Sequence, residues 1–147
     1  MSSPPDPSSW ATGRLLSTAA RLVEHEWDAH LDRWGLNHSG FAVLRMVSGG
    51  PRSQRELAQA MQVEDQTMSR VLDRLERHGH VTRERSTTDR RRVEVTLSDT
   101  GRVAVAEAGS DDAAERLFAG AVEDLPALRA LLARVLDVLS ARRWSAG

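Results

Sequence analysis

Gly79 separates two hydrophobic rhythms that no single kind of secondary structure can satisfy. Before it, the stretch Val63 to Gly79 (VEDQTMSRVLDRLERHG) places Met68, Val71, Leu72 and Leu75 at i, i+3, i+4 and i+7, the stripe of a helix with one buried face. After it the period falls to two. Val93, Val95 and Leu97 alternate with charged or polar residues, and the runs His80–Arg85 and Arg91–Leu97 flank a polar tip at Ser86–Arg90, the pattern of a half-buried β-hairpin. Glycine at the junction acts as a C-terminal helix cap.

The other face of the helix carries Gln66, Thr67, Arg70, Arg74 and Arg77. These amide, hydroxyl and guanidinium groups are the ones that reach base edges and phosphates in a major groove. Taken alone, the face reads as ordinary solvated surface; its neighbours change that reading. Upstream, Ser53-Gln-Arg-Glu56 forms a capping box, in which Ser53 bonds the amide of Glu56 and the Glu56 side chain returns to Ser53. It opens a helix of about nine residues ending near Met61. The link Gln62–Glu64 is short, and Asp65, a carboxylate ill placed near phosphate, is explained as the N-cap of the next helix. Two helices joined by so tight a turn, followed by a hairpin, read as a winged helix-turn-helix.

The hairpin tip holds Arg90, Arg91 and Arg92 in succession, with Asp89 placed to orient Arg91 through an ion pair. Arginines at a projecting tip suit the negative potential of a narrow minor groove. The formal net charge of the whole chain is −1, but its distribution is uneven. Between Arg52 and Arg92 ten Arg face seven Asp plus Glu, so the middle is basic and the flanks are acidic. Every one of the 20 basic residues is Arg, the side chain suited to bidentate phosphate and guanine contacts.

The flanks read as helices that need a partner. Residues 1–9 are rich in Pro and Ser and form a disordered arm. From Trp10 to Gly35, Leu16, Ala19, Val23, Trp27, Leu31 and Trp34 keep helical spacing. Ser39–Val47 is a short helix closed by Gly49, Gly50 and Pro51. Ser98 caps a helix running toward Gly120, which Gly109 kinks or interrupts. From Pro126 onward, Leu128, Leu131, Leu132, Val135, Leu136 and Leu139 make an apolar stripe too wide for one neighbouring helix but not for two helices of a second subunit. The expected fold is mostly α (α+β): a winged helix-turn-helix over 36–97, with N- and C-terminal dimerisation helices over 10–35 and 98–145 in one intertwined domain.

Several functions are excluded. The absence of Cys removes disulfides, thiolate metal sites and cysteine redox chemistry. His25 and His30 are five apart, roughly 140° around a helix, and so diverge where a zinc-protease pair would converge; no metal or other cofactor is expected. There is no Gly-rich nucleotide loop, nucleophile elbow or paired-acid site, so the chain does not read as an enzyme. The N-terminus lacks the basic and apolar regions of a signal peptide, and no run is long enough to span a membrane, so a cytoplasmic location without membrane attachment is expected.

The run Gly79-His80-Val81-Thr82-Arg83, then Asp89-Arg90-Arg91 and Val95-Thr96-Leu97-Ser98-Asp99-Thr100-Gly101, resembles the signature of the MarR family of bacterial transcriptional regulators. The likeness extends over nearly the whole chain. Two departures stand out: His80 replaces an aliphatic or aromatic residue, and Ser98 replaces Thr, which caps equally well. The resemblance implies a homodimer, commonly a repressor, whose two recognition helices enter successive major grooves of a pseudo-palindromic double-stranded DNA operator. It places Gln66, Thr67, Ser69, Arg70 and Arg74 on the reading helix, with Thr67 and Arg70 reading bases and Arg74 on phosphate. Arg91 would enter the minor groove, held by Asp89 and flanked by Arg90 and Arg92, while Arg83 braces the wing base or touches phosphate. It also implies a cleft for a small aromatic or phenolic effector, for which Trp27, Leu31, Trp34, Phe41 and Arg45 are the candidates, with Arg45 meeting a carboxylate or phenolate. The competing reading, favoured by the near-neutral net charge, is a winged helix that contacts protein instead of DNA.

Overall fold

The computed structural model describes residues 5–109, 113–116 and 118–145. Of the expected N-terminal arm, residues 1–4 fall outside these, and Pro7–Ser9 form one exposed 3-10 turn capped by Asp6, which accepts the amide of Ser8. Helix α1 spans Thr12–Leu31, and a 3-10 turn, Asp32–Trp34, then leads to Gly35 in the left-handed region (φ 67°). The regular helix thus stops short of the expected Gly35. Its stripe is only partly covered: Leu31 is buried, whereas Leu16 is exposed.

Helix α2 (His38–Val47) begins one residue earlier than its sequence suggests, because Asn37 caps it by accepting the amide of Gly40 at 2.8 Å. It supplies Phe41, Val43, Leu44 and Val47 to the core. Strand β1 (Arg52–Ser53) precedes α3 (Gln54–Met61), and α4 (Asp65–Arg77) follows through Gln62, a non-glycine residue at φ 58°. Met68, Leu72 and Leu75 of α4 are buried as the helical period requires, and Val71 lies half-buried at the edge of the same stripe. The N-cap of α4 is Glu64 and not Asp65. Glu64 has the extended backbone of a cap (φ −71°, ψ 153°), and its carbonyl accepts the amide of Met68 at 3.0 Å, which leaves Asp65 in the first turn.

The change of rhythm at Gly79 is built as a Schellman motif. The Gly79 amide donates to the Glu76 carbonyl (3.0 Å) and the His80 amide to the Leu75 carbonyl (2.9 Å), with Gly79 at φ 76°. Strands β2 (Val81–Arg85) and β3 (Val93–Leu97) pair antiparallel with Val81 opposite Leu97. The third strand, β1, pairs Arg52 with Val95 on the other edge of β3, giving the order β1-β3-β2. Two residues, Arg52 and the capping Ser53 itself, leave no periodicity to read, which is why β1 was not expected.

Ser98 caps α5 (Asp99–Ala108) by accepting the Gly101 amide at 3.0 Å and donates its own hydroxyl to the Gly79 carbonyl at 2.5 Å, so one side chain joins the end of α4 to the start of α5. The expected run to Gly120 is broken at Gly109, where an added Cβ would crowd Phe41 and the Val105 carbonyl. A short α6 (Ala113–Arg116) and α7 (Leu125–Ser145) follow. Leu131, Val135, Leu136, Val138 and Leu139 of α7 are exposed, and among the described residues α7 packs closely on no other element. Its far end returns to the helix-turn-helix, where Arg143 pairs with Glu64 at 2.9 Å. No helix among the described residues is long and apolar enough to cross a membrane, and no group of His, Asp or Glu gathers that could hold a metal.

Candidate nucleic-acid interface

Burial of Met68, Leu72 and Leu75 turns the opposite face of α4 outward, and Gln66, Thr67 and Arg70 are exposed on it. Ser69 and Arg74 lie half-buried on its flanks. Arg74 turns toward α1, where its charge acts on Asp28. Burial pushes the Asp28 carboxyl up, but hydrogen bonds from the His38 amide (2.7 Å) and ring (2.8 Å), with the charges of His38 and Arg74, outweigh this and hold it below the ordinary range.

The wing has its own internal scaffold. The Ser86 amide donates to the Arg92 carbonyl (2.8 Å) and the Arg92 amide to the Asp89 carbonyl (2.9 Å), closing the loop across its base. Ser86 Oγ accepts the amides of Thr88 and Asp89, and Arg85 Nη1 donates to the Arg90 carbonyl at 2.7 Å. Asp89 does not form the expected ion pair with Arg91. Its Oδ1 accepts the backbone amide of Arg91 at 3.0 Å, an Asx turn that shapes the tip and leaves the guanidinium outside the carboxylate's hold.

Not all of the expected arginines are available. Arg90 and Arg91 are exposed at the tip, whereas Arg92 turns inward to Glu56 (2.8 Å) and Glu94 (3.5 Å). The capping box is shared with the wing: the Glu56 amide donates to Ser53 Oγ at 3.1 Å, and the Glu56 carboxylate, besides its bonds with Ser53, makes an ion pair with Arg92. Burial raises its pKa slightly, and the charge and hydrogen bond of Arg92, then the Ser53 bonds, bring it below the usual value. Arg83 is a brace. Its guanidinium holds Asp73 and Glu76 on the flank of α4, and its amide donates to Glu76 Oε2 at 3.2 Å, tying the first wing strand to the recognition helix. Burial works against the Arg83 charge, but the two carboxylates win and keep its pKa above the usual value.

A groove of about 490 Å³ runs between the wing, the start of α3 and the start of α4, lined by Gln54, Arg55, Asp65, Arg91 and Arg92. Gln54 and Arg55 were not singled out from sequence. The signal was present in the capping box, since the residues after an N-cap sit at a helix terminus whose free amides favour anions. Exposed guanidiniums on a helix face and on a loop beside it offer bidentate donors at two separated places, the arrangement needed to meet a duplex in two grooves.

The five residues expected to line an effector cleft are brought together, but as a packed cluster. Leu31 and Phe41 are buried, Trp27 meets Phe41 edge-on with centroids 5.3 Å apart, and the Arg45 guanidinium lies 5.9 Å from the Phe41 ring centre. His30 stacks on Trp27 at 5.0 Å and contacts the Ala108 carbonyl through Nε2 at 3.1 Å, while Trp34 Nε1 donates to Glu107 at 2.8 Å. These aromatics fill the seam between α1, α2 and α5.

Residues 34–92 match the model of the MarR family. No curated protein matches the chain. Among solved structures it is similar to the transcriptional regulator BldR from Sulfolobus solfataricus, with 28% identity, 84% of this chain and 93% of that chain covered, and a TM-score of 0.73. It is similar also to the M. tuberculosis transcriptional regulator MOSR, solved in complex with DNA, at 26% identity over 91% of this chain and 99% of that one, with a TM-score of 0.80. A MarR protein from Peptoclostridium difficile shares the fold over the full length of both chains at a TM-score of 0.82 and 16% identity. A winged helix that matches the family model over residues 34–92, carried between flanking helices that match solved transcriptional regulators, makes this chain similar to the MarR family.

Proposed function

We propose that the protein is a homodimeric, sequence-specific DNA-binding regulator that represses transcription from a pseudo-palindromic operator and is released by a small aromatic or phenolic ligand. The observation that carries this reading is the pairing of exposed Gln66, Thr67 and Arg70 on α4 with exposed Arg90 and Arg91 on a wing internally hydrogen-bonded around its tip. The similarity to the M. tuberculosis transcriptional regulator MOSR, solved in complex with DNA, supports the same partner. The wide apolar face of α7 supports a second copy of the chain as its cover. On this reading the protein acts by binding DNA and catalyses no reaction.

The test is a mobility shift on the promoter beside the protein's own gene at defined salt, repeated with a panel of aromatic acids. Arg91→Ala is expected to weaken binding to every sequence and lower the salt slope by about one, whereas Arg70→Ala costs about 1–3 kcal/mol at particular base pairs. If both variants bound like the parent at matched salt, the assignment would fail. A second reading, a winged helix that docks on protein, draws on the net charge of −1 and on Glu64 and Asp65 at the start of α4. Association that is insensitive to salt, with no duplex bound, would favour it.

A further inference from the structure

Two carboxylates open α4, Glu64 as its N-cap and Asp65 in its first turn, and both are exposed beside Gln66 and Thr67. Negative charge there repels the phosphates of any duplex that the helix approaches. Asp65 complements the positive end of the helix dipole from within the first turn. Glu64 forms the cap through its backbone alone, and its side chain makes no capping hydrogen bond. The carboxylate meets instead a residue from the far end of the chain. Arg143, in the last turn of α7, donates from Nη2 to Glu64 Oε1 at 2.9 Å.

Fold stability does not account for this contact. The Arg143 side chain is 45% exposed and that of Glu64 78%, and an ion pair so open to water contributes little to folding. Shared packing does not account for it either, because among the described residues α7 packs closely on no other element. Next to a duplex the same pair has a larger consequence. DNA is a dense line of negative charge, and a guanidinium seated on the carboxylate cancels one like charge before the helix reaches the groove. We propose that Arg143 is a positioning residue for DNA binding, which docks the C-terminal end of α7 on Glu64 and masks that carboxylate at the entrance of the recognition helix. Arg143 acts through Glu64 and takes no phosphate of its own. Withdrawing the end of α7 uncovers the acid and weakens the grip on DNA without altering any residue that touches it. This inference rests on the DNA-binding reading above.

A double-mutant cycle tests it, with fluorescence anisotropy on the promoter duplex followed from low to high salt. Arg143→Ala is expected to weaken binding roughly threefold to tenfold at low salt, with a deficit that shrinks as salt rises and a melting temperature that stays in place. In the Glu64→Gln background, which has no charge to mask, the same Arg143→Ala change should have no effect. Arg143→Lys keeps the charge and should bind within about twofold of the parent. A deficit of equal size in both backgrounds would make Arg143 a direct phosphate contact and overturn the proposal, as would Arg143→Ala binding like the parent. A deficit that Lys does not rescue, or that salt does not reduce, would show a packing role and overturn it too. In each of these cases the parent still binds DNA, so the regulator reading stands; a parent that binds no duplex would overturn that reading and this proposal together.

Discussion

Adjacent arginines on the wing have opposite assignments. Arg91 extends from an Asx turn into solvent, and Arg92 is held by Glu56 and Glu94. Arg91→Ala should therefore leave the melting temperature unchanged while removing one phosphate-scale unit of salt dependence from DNA binding. Arg92→Ala should instead loosen the wing, visible as faster hydrogen exchange at the Ser86 amide, with a stability loss no larger than the roughly 0–1 kcal/mol of a surface ion pair. The same tether responds to pH. The folded Glu56 carboxyl titrates below its ordinary value of 4.5, so its contribution is complete above that value and is lost as the pH falls through the lower, folded one. The protection factor at Ser86, exchange corrected for its intrinsic pH dependence, should fall on acidification in the parent and be low already at neutral pH in Glu56→Gln. From sequence, the tip arginines and Asp89 were legible as a unit because they are neighbours. That Asp89 would bind an amide, and Arg92 an acid 36 residues away, depends on strand pairing with β3 that local spacing does not encode.

At the scale of elements, the joint between α4, the wing and α5 is the most constrained place in the molecule. Gly79 takes a positive φ, His80 is buried behind it, and a Cβ at Gly101 would collide with the His80 carbonyl. Gly101→Ala should cost about 1–3 kcal/mol or more, because backbone and not a flexible side chain stands in the way, and thermal unfolding measures it. Leu72→Ala, in the fully buried stripe of α4, should cost about 2–5 kcal/mol by the same measurement. The two helices and the hairpin were readable because their periods, 3.6 and 2, are properties of consecutive residues. The boundaries that shifted did so for reasons of capping: Asn37 caps α2 and starts it at His38, and Glu64 and not Asp65 has the extended backbone at α4. Trp27 and Phe41, expected to line a ligand cleft, pack on one another here, and sequence cannot distinguish rings that line a space from rings that fill it.

For the molecule as a whole, the apolar stripe of α7 lies exposed, and the proposed second copy of the chain would cover it. Leu136→Glu, at a position 61% exposed here, should leave the winged helix folded but shift sedimentation from a dimer to a monomer, together with loss of affinity for a palindromic site. On the dimer reading proposed above, the exposed helix also ties folding to how much of the protein is present. If α7 finishes its burial only against a second copy, the denaturation midpoint climbs with concentration, by mass action, and a dilute sample unfolds earlier than a crowded one. Freshly made chains would then be the least durable ones, and the supply of working regulator would rise more steeply than the rate at which chains are made.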